Sequence, residues 1–281
     1  MKTVKIVGVP EHFNLPWHLA MEENAFAERG ILLEWLDVPQ GTGYMCELLA
    51  NHETDLAIVL TEGIIRDITS GNPVRIIQEY VASPLLWGIH VQKHSPYQSV
   101  SELHEAPVAI SRKGSGSHLM ASVHAKKMGW DTNQLQFQLV DTLQGALDHF
   151  KMGSNAYFLW EHFTTKPHVD NGELKWLADF PSPWPCFVLV ATQAFLTKNG
   201  TLIQHITEII NRYTDEFKSI PSIDRTLSNR YGQKLHDVQS WLKKTSWGNH
   251  QLSQKTLEEV QTALYDLKLI QKIKPYQDFI L

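Results

Sequence analysis

The chain has 281 residues, with 25 Lys and Arg against 30 Asp and Glu, a formal net charge of −5, and 43% hydrophobic and 10% aromatic residues. That composition supports a sizeable core and excludes a disordered or collagen-like chain, and no overall basic excess draws it to nucleic acid or anionic lipid. Cys46 and Cys186 alone make no disulfide framework, and no apolar run approaches the ~20 residues of a membrane helix.

The first ten residues carry positive charge but no seven-residue apolar region and no small-residue cleavage site. They read as a strand, so a cytoplasmic location is expected; a periplasmic or membrane-attached one would require a removed signal. Residues 4–9 are β-rich and stopped by Pro10. Residues 15–29 have helical spacing, with Gly30 as the stop. A strand over 31–38 is broken by Pro39-Gln40-Gly41-Thr42-Gly43, and a helix starts at Tyr44. Residues 55–60 form a nearly all-apolar strand of the kind covered on both faces. A helix over 64–70, a turn at Gly71-Asn72-Pro73 and a strand over 74–80 follow. This βαβαβαβ order predicts a parallel sheet with right-handed crossovers.

A second α/β run begins with strands at 85–92 and 108–110, followed by Ser111-Arg112-Lys113-Gly114-Ser115-Gly116-Ser117 and a helix over 117–128. Strands at 135–140, 156–159, 174–178 and 186–191 alternate with helices at 143–152 and 162–168. The break Pro181-Ser182-Pro183-Trp184-Pro185 reads as a loop. From Gln193 the pattern is helical only. A strand ending in X-Glu and turning straight into a helix occurs once in each half, at Glu62 and Glu161, which suggests two similar lobes.

Ligands of open parallel sheets sit beyond the carboxyl ends of the strands. That rule selects Glu11, His12 and Phe13; Gly41, Thr42 and Gly43; Thr61, Glu62 and Gly63; Ser111 and the 114–118 turn; and Trp160, Glu161 and Trp184. The turn Gly114-Ser115-Gly116-Ser117-His118 puts bare amides and two hydroxyls at a helix N-terminus, where an anion is favoured. The plainer alternative is a tight βα turn capped by Ser117. The turn lacks the spacing of a P-loop and the third glycine of a dinucleotide fingerprint. Glu62 and Glu161 either hold a ligand amine or ring N–H, or serve the dipoles of their own helices. Trp160 and Trp184 offer flat faces in what read as loop mouths. No His-Glu-x-x-His, paired-cysteine or Gly-x-Ser-x-Gly spacing occurs, so no metal, cofactor or catalytic residue is assigned.

The opening strand with Val9-Pro10-Glu11-His12, the Gly41-Thr42-Gly43 turn, Asp55 to Gly63, the Lys113 to His118 turn and Phe158-Leu159-Trp160-Glu161 resemble the type 2 periplasmic-binding-protein family. The likeness runs over roughly residues 4–220. It is nearest to the nitrate, sulfonate, taurine and thiamine-pyrimidine-precursor branch, in a signal-less subgroup. The resemblance implies an α/β fold of two Rossmann-like lobes closing on a central ligand. Lobe 1 would be residues 1–92 plus 194–281 and lobe 2 residues 93–193, with hinges near 92–95 and 191–194 and the C-terminal helices packed on lobe 1. It implies a monomeric small-molecule binding protein for a planar, polar organic ligand, with an ABC transporter permease as partner if the chain is exported and no nucleic-acid partner. The alternative it implies is a cytoplasmic enzyme on the same fold, similar to the thiamine pyrimidine synthase, whose cysteine-rich iron motif has no counterpart here, or to menaquinone-pathway synthases.

Overall fold

A computed structural model describes residues 1–281. The chain opens with β1 (Lys2–Gly8), α1 (Leu15–Glu22), α2 (Ala25–Glu28), β2 (Ile31–Asp37), α3 (Thr42–Ala50), β3 (Leu56–Leu60), α4 (Thr61–Ser70) and the long strand β4 (Val74–Gln92). It continues through β5 (Val108–Ile110), α5 (Gly116–Lys127), β6 (Phe137–Leu139), α6 (Leu143–Lys151), β7 (Tyr157–Glu161), α7 (His162–Asp170) and a second long strand, β8 (Leu174–Thr192). The remainder is helical: α8 (Gln193–Glu216), α9 (Ile223–Tyr231), α10 (Leu235–Lys244) and α11 (Gln254–Asp266).

These elements group into two units. Unit 1 is Met1–Ser83 with Trp184–Leu281, and unit 2 is Pro84–Pro183. The chain changes unit between Ser83 and Pro84 and again between Pro183 and Trp184, inside β4 and β8. The positions expected from sequence, 92–95 and 191–194, are where those two strands end.

In unit 1 the strand order is β2-β1-β3-β8 and in unit 2 it is β4-β7-β5-β6, and β4 and β8 each run from one unit into the other. The fully parallel sheet expected from sequence is corrected. β1 pairs parallel with β2 and β3, and β5 parallel with β6 and β7, but β3 pairs antiparallel with β8 and β4 antiparallel with β7. The βαβ reading accounts for the first strands of each unit. It fails at β4 and β8, which each join strands of their own unit while running against their neighbours.

The reading of 181–185 as a loop is also corrected. Phe180, Ser182, Trp184 and Cys186 are buried while Pro181 and Pro183 are exposed. With a side-chain period of two, the three prolines fall on one face and their missing N–H groups on one edge, so β8 continues through them. The single helix expected over 15–29 is split, because Asn24 takes a left-handed conformation (φ 60°) between α1 and α2.

Each unit has its own core. In unit 1, Leu56, Ala57, Ile58 and Val59 of β3 are fully buried, the pattern of a strand covered on both faces. α8 packs on α1 and α11 on α4. In unit 2, Ala109, Ala146, Leu147, Phe150 and Phe158 form the centre, with Trp160 and Val169 packed against it. No helix is long and apolar enough to cross a membrane.

Candidate functional site

In unit 1 the carboxyl end of β3 turns directly into α4, and two hydroxyls brace that corner. Thr42 Oγ1 accepts from the Leu60 amide at 3.0 Å, and Thr61 Oγ1 donates to the Pro185 carbonyl at 2.6 Å. Both threonines are buried, so they position the corner. Gly41 (φ 77°) lets the chain enter α3, which begins at Thr42; Gly43 is therefore a helical residue and not part of a glycine turn.

The brace sets Glu62 in the first turn of α4, 1% exposed. Its Oε2 accepts from the Trp184 indole Nε1–H at 2.7 Å, while its Oε1 is buried with no hydrogen-bond partner. Burial raises its pKa to about 7, against the opposing effect of its own amide and the Trp184 indole. Trp184, expected in a loop mouth, is a buried strand residue and this carboxylate's partner.

Glu11 lies half-buried at the end of β1, but His12 and Phe13 belong to the interior. The His12 ring lies 4.9 Å from Phe13 and 4.2 Å from Trp241 between centroids, and Phe13 meets Phe187 at 5.4 Å. Burial drives the His12 pKa down to about 3, so the imidazole is neutral at pH 7. Trp241 and Trp247, which complete this cluster, come from the helical tail. Nothing local in the sequence ties them to His12.

In unit 2 the turn after β5 is held by its own serines. Ser117 Oγ accepts from the Ser111 amide at 3.0 Å and lies 3.3 Å from Ser111 Oγ and 3.0 Å from Ser115 Oγ. The cap of α5 is Ser115, not Ser117: Ser115 Oγ accepts from the His118 amide. His118 turns back, its Nδ1 accepting from the Gly114 amide at 2.9 Å, and Gly114 supplies a positive φ of 79°. Gly116 and Ser117 open the helix, where amides have no intrahelical acceptor.

Glu161, the counterpart of Glu62 in sequence, does something different. It is the N-cap of α7, accepting from the Thr164 amide at 2.6 Å and the Thr164 hydroxyl at 2.8 Å. Burial raises its pKa against those bonds. Trp160 is a strand residue stacked on Phe158 at 5.2 Å and 21°. So Glu62 and Trp184 come together in unit 1, Ser111, Ser115, Ser117 and His118 in unit 2, and Trp160, Glu161, His12 and Phe13 serve their local structure. No group of three or more His, Cys, Asp or Glu is arranged to hold a metal ion.

Residues 87–180 match the family model described as Ca3427-like PBP. No curated protein sequence matches the chain. Among solved structures, a Candida albicans protein, the CA3427 gene product, described as defining a new family with the generic periplasmic binding protein fold, superposes with a TM-score of 0.88 at 25% identity, covering 98% of this chain and 92% of its own. The alkanesulfonate-binding protein of Xanthomonas axonopodis pv. citri, bound to MOPS, gives 0.82 at 17% identity, with 97% and 95% covered. The periplasmic aliphatic sulphonate binding protein of Escherichia coli gives 0.77 at 19% identity, with 100% and 97% covered.

Proposed function

We propose that this chain, which has the type 2 periplasmic-binding-protein fold, is a small-molecule binding protein. Its ligand is a planar, polar organic molecule that offers an amine or ring N–H to Glu62. The observation that carries this reading is the buried Glu62 Oε1, which has no hydrogen-bond partner beside the Trp184 indole. A buried acceptor left unmatched costs about 1–3 kcal/mol, more for a charged group, and a ligand donor removes that cost. A bare anion such as nitrate would instead meet a carboxylate, a repulsion of about 1 kcal/mol at ~4 Å even in water. An aminopyrimidine fits, since its neighbouring N–H and ring nitrogen are flat and match a carboxyl group.

The α5 N-terminus of unit 2 is a separate candidate for contact with an anionic or hydroxyl group. Support comes from the Gly116 and Ser117 amides, not from the serine hydroxyls, which are engaged with one another.

One observation favours a second reading, an enzyme on the same scaffold. A buried carboxyl with a pKa near 7 is suited to accept and return a proton at neutral pH. Calorimetric titration with aminopyrimidines, amino acids, alkylsulfonates and nitrate separates these readings. Aminopyrimidines should bind, and Glu62→Gln, which keeps an acceptor for Trp184 but loses the charge, should weaken binding at least tenfold. Binding of simple anions alone, unchanged in Glu62→Gln, rejects the donor-bearing ligand. Recovery of a chemically altered ligand by mass spectrometry makes the enzyme reading the right one.

A further inference from the structure

Unit 2 holds a second set of polar and aromatic groups, on α7 and the start of β8, that the ligand reading at Glu62 does not use. There a cavity of about 300 Å³ is lined by His90, His162, Lys166, Val169 and Trp176. One oxygen organises two of its walls. Asp179 Oδ1 accepts from Trp176 Nε1 at 2.8 Å and lies 2.7 Å from His162 Nδ1. Burial raises the Asp179 pKa, but the bonds from His162 and Trp176 outweigh it and hold the carboxyl below its usual value. An ionised carboxylate only accepts, so Nδ1 of His162 carries a proton toward Asp179, and in the neutral form of the imidazole Nε2 is the acceptor.

The His162 and Trp176 rings stand at 88° with centroids 6.2 Å apart, which makes a corner with one flat apolar face and one acceptor edge. Burial takes the His90 pKa down to about 4, so that ring is neutral, with Nε2 2.9 Å from Thr165 Oγ1. Lys166, another lining residue, pairs its ammonium with Asp170. Gly88 leaves room for the His90 ring, since a Cβ there would lie 2.4 Å from His90 Cε1. The Asp179 carboxylate, held by the lining residues His162 and Trp176, disfavours an anion.

We propose that this cavity binds a small, uncharged, planar aromatic molecule carrying one O–H or N–H donor, with its ring against Trp176 and Val169 and its donor on His162 Nε2. Phenol and indole represent the class, and toluene is the same shape without the donor. Titration of the ¹⁵N-labelled chain with phenol should shift the Trp176 indole N–H resonance saturably, and phenol should bind more tightly than toluene. His162→Phe keeps a ring and removes the acceptor; it should weaken phenol about tenfold and leave toluene unchanged, the scale of one hydrogen bond. Val169→Trp should fill the cavity and abolish both. Absence of a saturable Trp176 shift up to the solubility limit of phenol overturns the site. Equal affinity for phenol and toluene, or an unchanged phenol affinity in His162→Phe, overturns the role of His162. The phenol and toluene titrations of the native chain decide the matter even where Val169→Trp fails to fold.

Discussion

Glu62 and Glu161 show how far one residue can be read from its neighbours. Both end a strand and start a helix, and the sequence cannot separate them. Glu161 finds its partner three residues on, at Thr164, and becomes a cap. Glu62 finds its partner 122 residues away, in the Trp184 indole. Its free oxygen and its raised pKa follow from that distant contact and from burial. The linkage has a definite sign. The folded-state pKa of about 7 lies above the usual 4.5, so folding favours the protonated form. That stabilisation is complete below pH 4.5 and is lost as the pH rises through 7, by about 3 kcal/mol in all. Glu62→Gln cannot titrate. Urea unfolding should show the variant gaining on the native chain by about 3 kcal/mol between pH 4.5 and pH 8. Parallel stability curves for the two proteins would show that the carboxyl is not protonated in the folded state.

At the scale of elements, the packing of α3 on α4 is set by a glycine. Gly63 lies in the first turn of α4, where helix propensity alone favours alanine by about 1 kcal/mol. A Cβ at that position would sit 2.5 Å from Thr42 Cγ2, and Thr42 cannot swing away without giving up the Leu60 amide. Overpacking costs about 1–3 kcal/mol and wins. Gly63→Ala should therefore destabilise the chain by the difference, up to about 2 kcal/mol. Gly63→Ala with Thr42→Ser, which removes Cγ2 and keeps the hydroxyl, should restore native stability or exceed it. Thermal unfolding of the four proteins of the cycle reads this directly, and additive effects would refute the contact. Only the two glycine-flanked helix starts were visible in the sequence. That one glycine answers one threonine across two helices was not, because residues 42 and 63 are neighbours only after folding.

At the scale of the molecule, unit 1 is built from both ends of the chain, and its C-terminus is tied into its sheet. Ile76 donates its amide to the Phe279 carbonyl at 2.7 Å and accepts from the Leu281 amide at 3.2 Å, alongside the first half of β4. Phe279 is fully buried. Phe279→Ala should cost about 3–5 kcal/mol, the range for emptying an aromatic site in a core. Urea unfolding that moves by less than about 1 kcal/mol would mean that the tail is an ornament on unit 1.

The alternation of short apolar strands with amphipathic helices, the buried pattern of β3 and the helical tail after Gln193 were written in local periodicity, because period and capping act over a few residues. The direction of β4 and β8, the passage of β8 through three prolines, the choice of Ser115 over Ser117 as the cap of α5, and the pairing of Glu62 with Trp184 were decided only by tertiary structure. Each depends on which distant backbone or side chain supplies a hydrogen bond or a buried surface, and a linear pattern holds no record of that partner.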